Sequence, residues 1–61
     1  MFVIRRVEDG KYVARFGSDR SYTVMLQKAQ TFSTKDVAAS HACGNEYVVS
    51  VNSEFSQVRY A

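Results

Sequence analysis

No proline interrupts the 61 residues of this chain, no tryptophan occurs, and there is one cysteine, one histidine and three glycines. Each shortage excludes something. A lone Cys43 cannot close a disulfide within the chain, and with His41 as the only imidazole the ligands of a structural zinc site are too few. No two carboxylates fall at a spacing that sets them on one regular face, so the paired acids of a glycosidase have no support. "GSDRS" lacks the second glycine and the lysine of a phosphate loop. Apolar runs stay far short of the ~18 residues of a membrane span, and "MFVIRRVEDG" carries its charges after its apolar stretch, the reverse of an export signal. These features predict a protein of the reducing cytosol, off the membrane, with no catalytic centre, metal or cofactor.

What is present describes a folded domain. The apolar fraction is 46%, with four tyrosines and four phenylalanines, a composition that argues against disorder. The length predicts one domain over residues 1–61. A chain of this size buries only about 60% of its unfolded surface, and with disulfide and metal excluded the remaining compensation is homodimerisation.

The net charge of +2 is too mild to imply a nucleic-acid partner by itself, but it is unevenly spread. Residues 1–30 carry Arg5, Arg6, Lys11, Arg15, Arg20 and Lys28 against Glu8, Asp9 and Asp19, leaving +3, whereas residues 31–61 carry a net −1.

"FVIRRVEDGKYVARFG" predicts a hairpin with strands over residues 2–7 and 11–16, because Asp9-Gly10 tolerates the positive φ of a tight turn. In the second strand Tyr12, Ala14 and Phe16 share a face and are expected to point inward, opposite Val13 and Arg15. The first strand is apolar on both faces, as in a central strand or one covered at a subunit interface. "GSDRSYT" predicts a surface loop, and "VMLQKAQ" reads either as a strand, with Val24 and Leu26 opposite Met25, or as a short helix over 23–29, which its residue types favour. In "TFSTKDVAASHACGN", Ser33 as N-cap places Asp36 at the third helical position, a capping box, and pairs Phe32 with Val37 as a hydrophobic staple. Gly44 then falls where a left-handed residue ends a helix. "EYVVSV" predicts a closing strand with Tyr47, Val49 and Val51 on one face. The tail reads either as an edge strand through Val58 and Tyr60 or as a helical turn through Phe55, Val58 and Arg59. The fold class is therefore α+β, a small antiparallel sheet of hairpin plus closing strand, packed on one face by a capped main helix and a short helix.

The stretch "HACGNEY" gathers the only histidine and cysteine. On a helix His41 and Cys43 point about 200° apart, whereas a Cys-His nucleophile needs sulfur and imidazole within about 2.6–3.2 Å. Structural roles are expected instead: Cys43 as a small apolar filler and His41 as a residue that favours the helix dipole when protonated.

"GKYVARFGSDRSYT", followed by Leu26, Ala29, Phe32, Thr34 and Ala38 and then "CGNEYVVSV", resembles short accessory proteins encoded by phages and prophages of Gram-positive bacteria. The resemblance covers roughly residues 2–51 and consists of structural residues. It implies the same small α+β fold and carries over no catalytic residue. It also implies a cytoplasmic setting in an infected bacterial host and a protein that works by blocking a larger host or defence-system protein. The expected contact residues are Arg5, Arg15, Arg20 and Tyr22. Two alternatives stay open: direct nucleic-acid binding through the basic hairpin, and a structural or assembly role in the virion.

Overall fold

A computed structural model describes residues 1–52 of the chain; both readings of the tail lie outside the described residues. Four antiparallel strands, β1 (Phe2–Arg6), β2 (Tyr12–Val13), β3 (Tyr22–Thr23) and β4 (Glu46–Ser50), form one sheet in the order β3-β2-β1-β4. A 3-10 turn (Leu26–Lys28) and the α-helix α1 (Lys35–His41) join the sheet in an α+β fold. No helix among the described residues is long and apolar enough to cross a membrane.

The two-sided apolar pattern of β1 has its cause in this order. Arg5 pairs with Tyr12 on one side, and the whole strand pairs with β4 on the other, from Phe2 opposite Ser50 to Arg6 opposite Glu46. Neighbouring residues of a strand point to opposite faces, yet Val3 and Ile4 are both fully buried, so both faces of the sheet are covered. One cover comes from Ala29 and Leu26, which pack with Val3, Tyr12, Val49 and Val51. The other comes from Phe32 and, on α1, Ala38, packed with Ile4, Val13 and Val48. The expectation of two helices on a single face is therefore corrected: the 3-10 turn and α1 lie on opposite faces. With both edges of β1 hydrogen-bonded, the first strand offers no edge through which a second copy could pair.

The hairpin turn forms as its sequence predicts. Gly10 adopts φ +73° and donates to the Arg6 carbonyl at 2.7 Å. Asp9 folds back to accept from the Lys11 amide at 3.1 Å, the local bonding that makes aspartate a turn residue.

Beyond the turn, the strands splay and residues 28–32 enter between them. Phe32 exchanges two 2.8 Å backbone hydrogen bonds with Phe2, while the Gln30 amide donates to Val13 and the Arg15 amide to the Lys28 carbonyl. Ala14 and Ala29 face each other as an isolated bridge. This insertion ends β2 after Val13 and breaks the predicted alternation: Tyr12 and Ala14 are buried, but Phe16 is 59% exposed. Gly17, at φ +91°, then carries the chain away from the sheet. The helix predicted over 23–29 is likewise reduced to one 3-10 turn, because Tyr22 and Thr23 are drawn into β3 against Val13 and Tyr12.

Helix α1 begins one residue later than its sequence signals predict. Thr34, not Ser33, is the N-cap, its Oγ1 accepting from the Val37 amide at 3.2 Å. Phe32 is committed to the bridge with Phe2, so Ser33 serves as the link. The shift moves Asp36 out of the capping-box position and leaves Val37 45% exposed, while Ala38 becomes the buried residue of the helix. The staple does not form. At the other end Ala42 leaves the helix in an extended conformation, its amide shared between the carbonyls of Ala38 and Ala39. Gly44 has no left-handed role; the positive-φ glycines are Gly10 and Gly17.

Candidate functional site

The loop over residues 14–21 and its neighbours shape three adjoining depressions. The first, about 370 Å³, lies between the loop and the end of α1, with Arg15, Phe16, Arg20, Tyr22 and His41 among its walls. The second, about 310 Å³, shares Arg15 and Arg20 and reaches Lys28. The third, about 260 Å³, shares Arg20 and Lys28 and reaches Lys11. Arg20 borders all three, so the depressions form one surface along the β3 edge.

This surface is basic. Among the described residues Lys11, Arg15, Arg20 and Lys28 take part in no ion pair. The carboxylates on its walls are Asp19 and Glu46, and Glu46 is already engaged. Arg15 is held in place by its guanidinium, which donates to the Gln27 carbonyl at 2.9 Å.

Below the cations runs a connected polar network. Arg6 grips Asp9 through two hydrogen bonds, at 2.6 and 3.1 Å, and its guanidinium lies 3.9 Å from the centre of the Tyr22 ring. The Tyr22 hydroxyl donates to Glu46 Oε2, and Glu46 Oε1 accepts from the Cys43 amide at 2.8 Å. The Glu46 hydrogen bond and burial hold the Tyr22 hydroxyl above its ordinary pKa. Burial pushes the Glu46 carboxyl up, but the hydrogen bonds from Tyr22 and Cys43 outweigh it and leave the group below its ordinary value. The network ties the hairpin, β3, the start of β4 and the turn after α1 together, and the Tyr22 hydroxyl and Glu46 carboxylate are spent within it.

Next to the network lies a cluster of three rings. His41 stacks on Phe32 with centroids 5.3 Å apart, Phe16 tilts against His41 at 5.5 Å, and Phe16 meets Phe32 edge-on at 6.1 Å. The helix stops at His41, so the 200° separation from Cys43 does not apply, and both residues border the first depression. His41 is nonetheless committed to its ring stack and the Cys43 amide to Glu46. No group of three or more potential metal ligands occurs among the described residues.

Of the residues expected to make contact, the fold gathers Arg15, Arg20 and Tyr22 around the first depression. Arg5 stands apart from them. Its Nε donates to the Gly10 carbonyl at 2.9 Å and its guanidinium lies 5.1 Å from the centre of the Tyr12 ring, on the sheet face opposite Tyr22, so it fastens the hairpin turn. Lys11 and Lys28 were not among the expected contact residues, and Phe16, expected to point inward with Tyr12, is exposed instead. The unequal charge of the first thirty residues was the signal available for the two lysines. No significant match to the chain was found among known protein families, curated proteins or solved structures.

Proposed function

We propose that this protein is a non-catalytic interaction module that binds an acidic surface of a larger partner protein. The observation that carries the reading is the gathering of Lys11, Arg15, Arg20 and Lys28 around the three depressions, with no ion pair to any of them among the described residues. Exposed cations at an interface steer association and reject wrong partners, and arginine offers a carboxylate two parallel hydrogen bonds. The resemblance to phage accessory proteins supplies the partner class of the proposal, a host or defence-system protein blocked by occupancy.

Direct nucleic-acid binding is the second reading, and the exposed Phe16 ring beside Arg15 and Arg20 favours it, since a base stacks on such a ring. Against it, Tyr12 is buried, and the Tyr22 ring already carries the Arg6 guanidinium while its hydroxyl is held by Glu46, which limits both as parts of a stacking platform.

A tagged pull-down from bacterial lysate, with and without nuclease, compares the native chain with an Arg15→Glu/Arg20→Glu variant. The expected result is one stoichiometric protein band that survives nuclease and disappears with the variant. A band retained equally by the variant refutes this surface, and bands lost with nuclease transfer the assignment to nucleic acid. Homodimerisation belongs to the same proposal. Light scattering at micromolar concentration is expected to return twice the chain mass, and a monomer mass refutes it.

A further inference from the structure

We infer that the first depression is a socket for an apolar, preferably aromatic, side chain of an acidic partner segment, whose neighbouring carboxylates are held by Arg15 and Arg20. The inference rests on the interaction reading and adds what the partner must present. A phenylalanine that is 59% exposed while already touching Phe32 and His41 is anchored on one side and open on the other. Below it, Ile4, Val13 and Ala14 make the wall apolar. Tyr22 and Glu46, which could have claimed a polar guest, satisfy each other and the Cys43 amide. At about 370 Å³ the depression is near the lower limit for small-ligand sites, a size for one side chain and its adjoining backbone. The charge of its lining selects the occupant: among its described residues Arg15 and Arg20 outnumber the one carboxylate, Glu46, whose oxygens are already held by Tyr22 and the Cys43 amide, and Arg15 is oriented in advance by the Gln27 carbonyl. An aromatic anchor seated in an apolar pocket is the usual centre of a binding hot spot, and charges at the rim steer and select the partner.

The test uses two fluorescein-labelled peptides, with cores Asp-Glu-Phe-Glu-Asp and Asp-Glu-Ser-Glu-Asp in the same flexible flanks, and an oligothymidylate of matched charge. Binding to the full chain is followed by anisotropy at low salt and by the ring resonances of Phe16 and His41. The phenylalanine peptide is expected to bind about tenfold more tightly than the serine peptide, to shift both ring signals, and to lose that advantage against Phe16→Ala. Because the decisive comparison changes the probe and not the protein, it survives any loss of stability in the variant. Equal binding of the two peptides, both abolished by Arg15→Glu/Arg20→Glu, overturns the socket and leaves the acidic-partner reading standing. Absence of binding by either peptide overturns both. Tighter binding of the oligothymidylate than of either peptide overturns the socket in favour of base stacking.

Discussion

Two adjacent substitutions in α1 separate the observed helix register from the one its capping signals predict. A domain of 61 residues at the usual 0.05–0.15 kcal/mol per residue has about 3–9 kcal/mol of stability in all. Ala38 has no exposed surface and packs with Ile4 and Phe32. Ala38→Asp therefore sets an unpaired carboxylate in an apolar interior, at a penalty of several kcal/mol, most or all of that stability. Val37 is 45% exposed, so Val37→Asp loses about 1 kcal/mol of apolar contact at most. Its new carboxylate also lies in the first turn, where the helix dipole returns ~0.3–1 kcal/mol. At 4–8 °C per kcal/mol for a domain of this size, Val37→Asp shifts Tm by a few degrees, whereas Ala38→Asp shows no cooperative transition. Circular-dichroism melts and urea titrations at neutral pH measure both. An unfolded Val37→Asp beside a native-like Ala38→Asp would refute the packing and restore the staple.

Thr34→Ala should cost about 1 kcal/mol by removing the hydroxyl that caps the Val37 amide, whereas Ser33→Ala should be nearly neutral; the reverse order in denaturant titrations would move the cap back. Gly10→Ala and Gly17→Ala should each destabilise by ~1–2 kcal/mol in denaturant titrations, because both glycines hold a positive φ that costs an alanine that much; a Cβ on Gly10 would also displace the tip of the Arg5 guanidinium, 2.9 Å away, whereas at Gly17 it would enter open space. The hydrogen bonds from Arg6 and from the Lys11 amide hold the Asp9 carboxyl at about 2, down from 3.8. A depressed folded pKa contributes stability above the unfolded value, and that contribution is lost as pH falls from about 3.8 through about 2. Carboxyl chemical shifts followed by NMR should show the low midpoint, and Arg6→Gln should return it toward the ordinary range.

Strong local signals were legible in the sequence. Asp9-Gly10 marked a turn that closes as expected. The alternation of Tyr12, Ala14 and Phe16 gave two of three inward residues, and the double-faced β1 announced its central place. The capping motif identified a helix but not its first residue, because Ser33 and Thr34 carry equivalent hydroxyls and only the bridge between Phe32 and Phe2 decides which of them is free to cap. The short helix of 23–29 failed for the same kind of reason: helix-favouring residues were overruled by the pairing of Tyr22 and Thr23 with β2.

Of the candidate site, Arg15, Arg20 and Tyr22 were named from the sequence and line the first depression, whereas Lys11 and Lys28 were legible only as part of the positive charge of the first half of the chain. Local patterns report bonds between residues a few positions apart, and they carry the hairpin turn, the helix, β1 and β4, whereas β3 (Tyr22–Thr23), read locally as loop, exists only through its pairing with β2. The insertion of residues 28–32 between β1 and β2 depends on contacts across the whole fold, and it is this insertion that turns Phe16 out of the sheet. The Tyr22–Glu46 hydrogen bond joins residues 24 positions apart, beyond any periodicity. Sequence by itself determined the fold class, the turn and the sign of the surface. Tertiary structure alone decided which face each cation joins, setting Arg5 against the hairpin turn and Arg15 and Arg20 around the exposed ring, because only long-range pairing fixes where neighbouring loops meet.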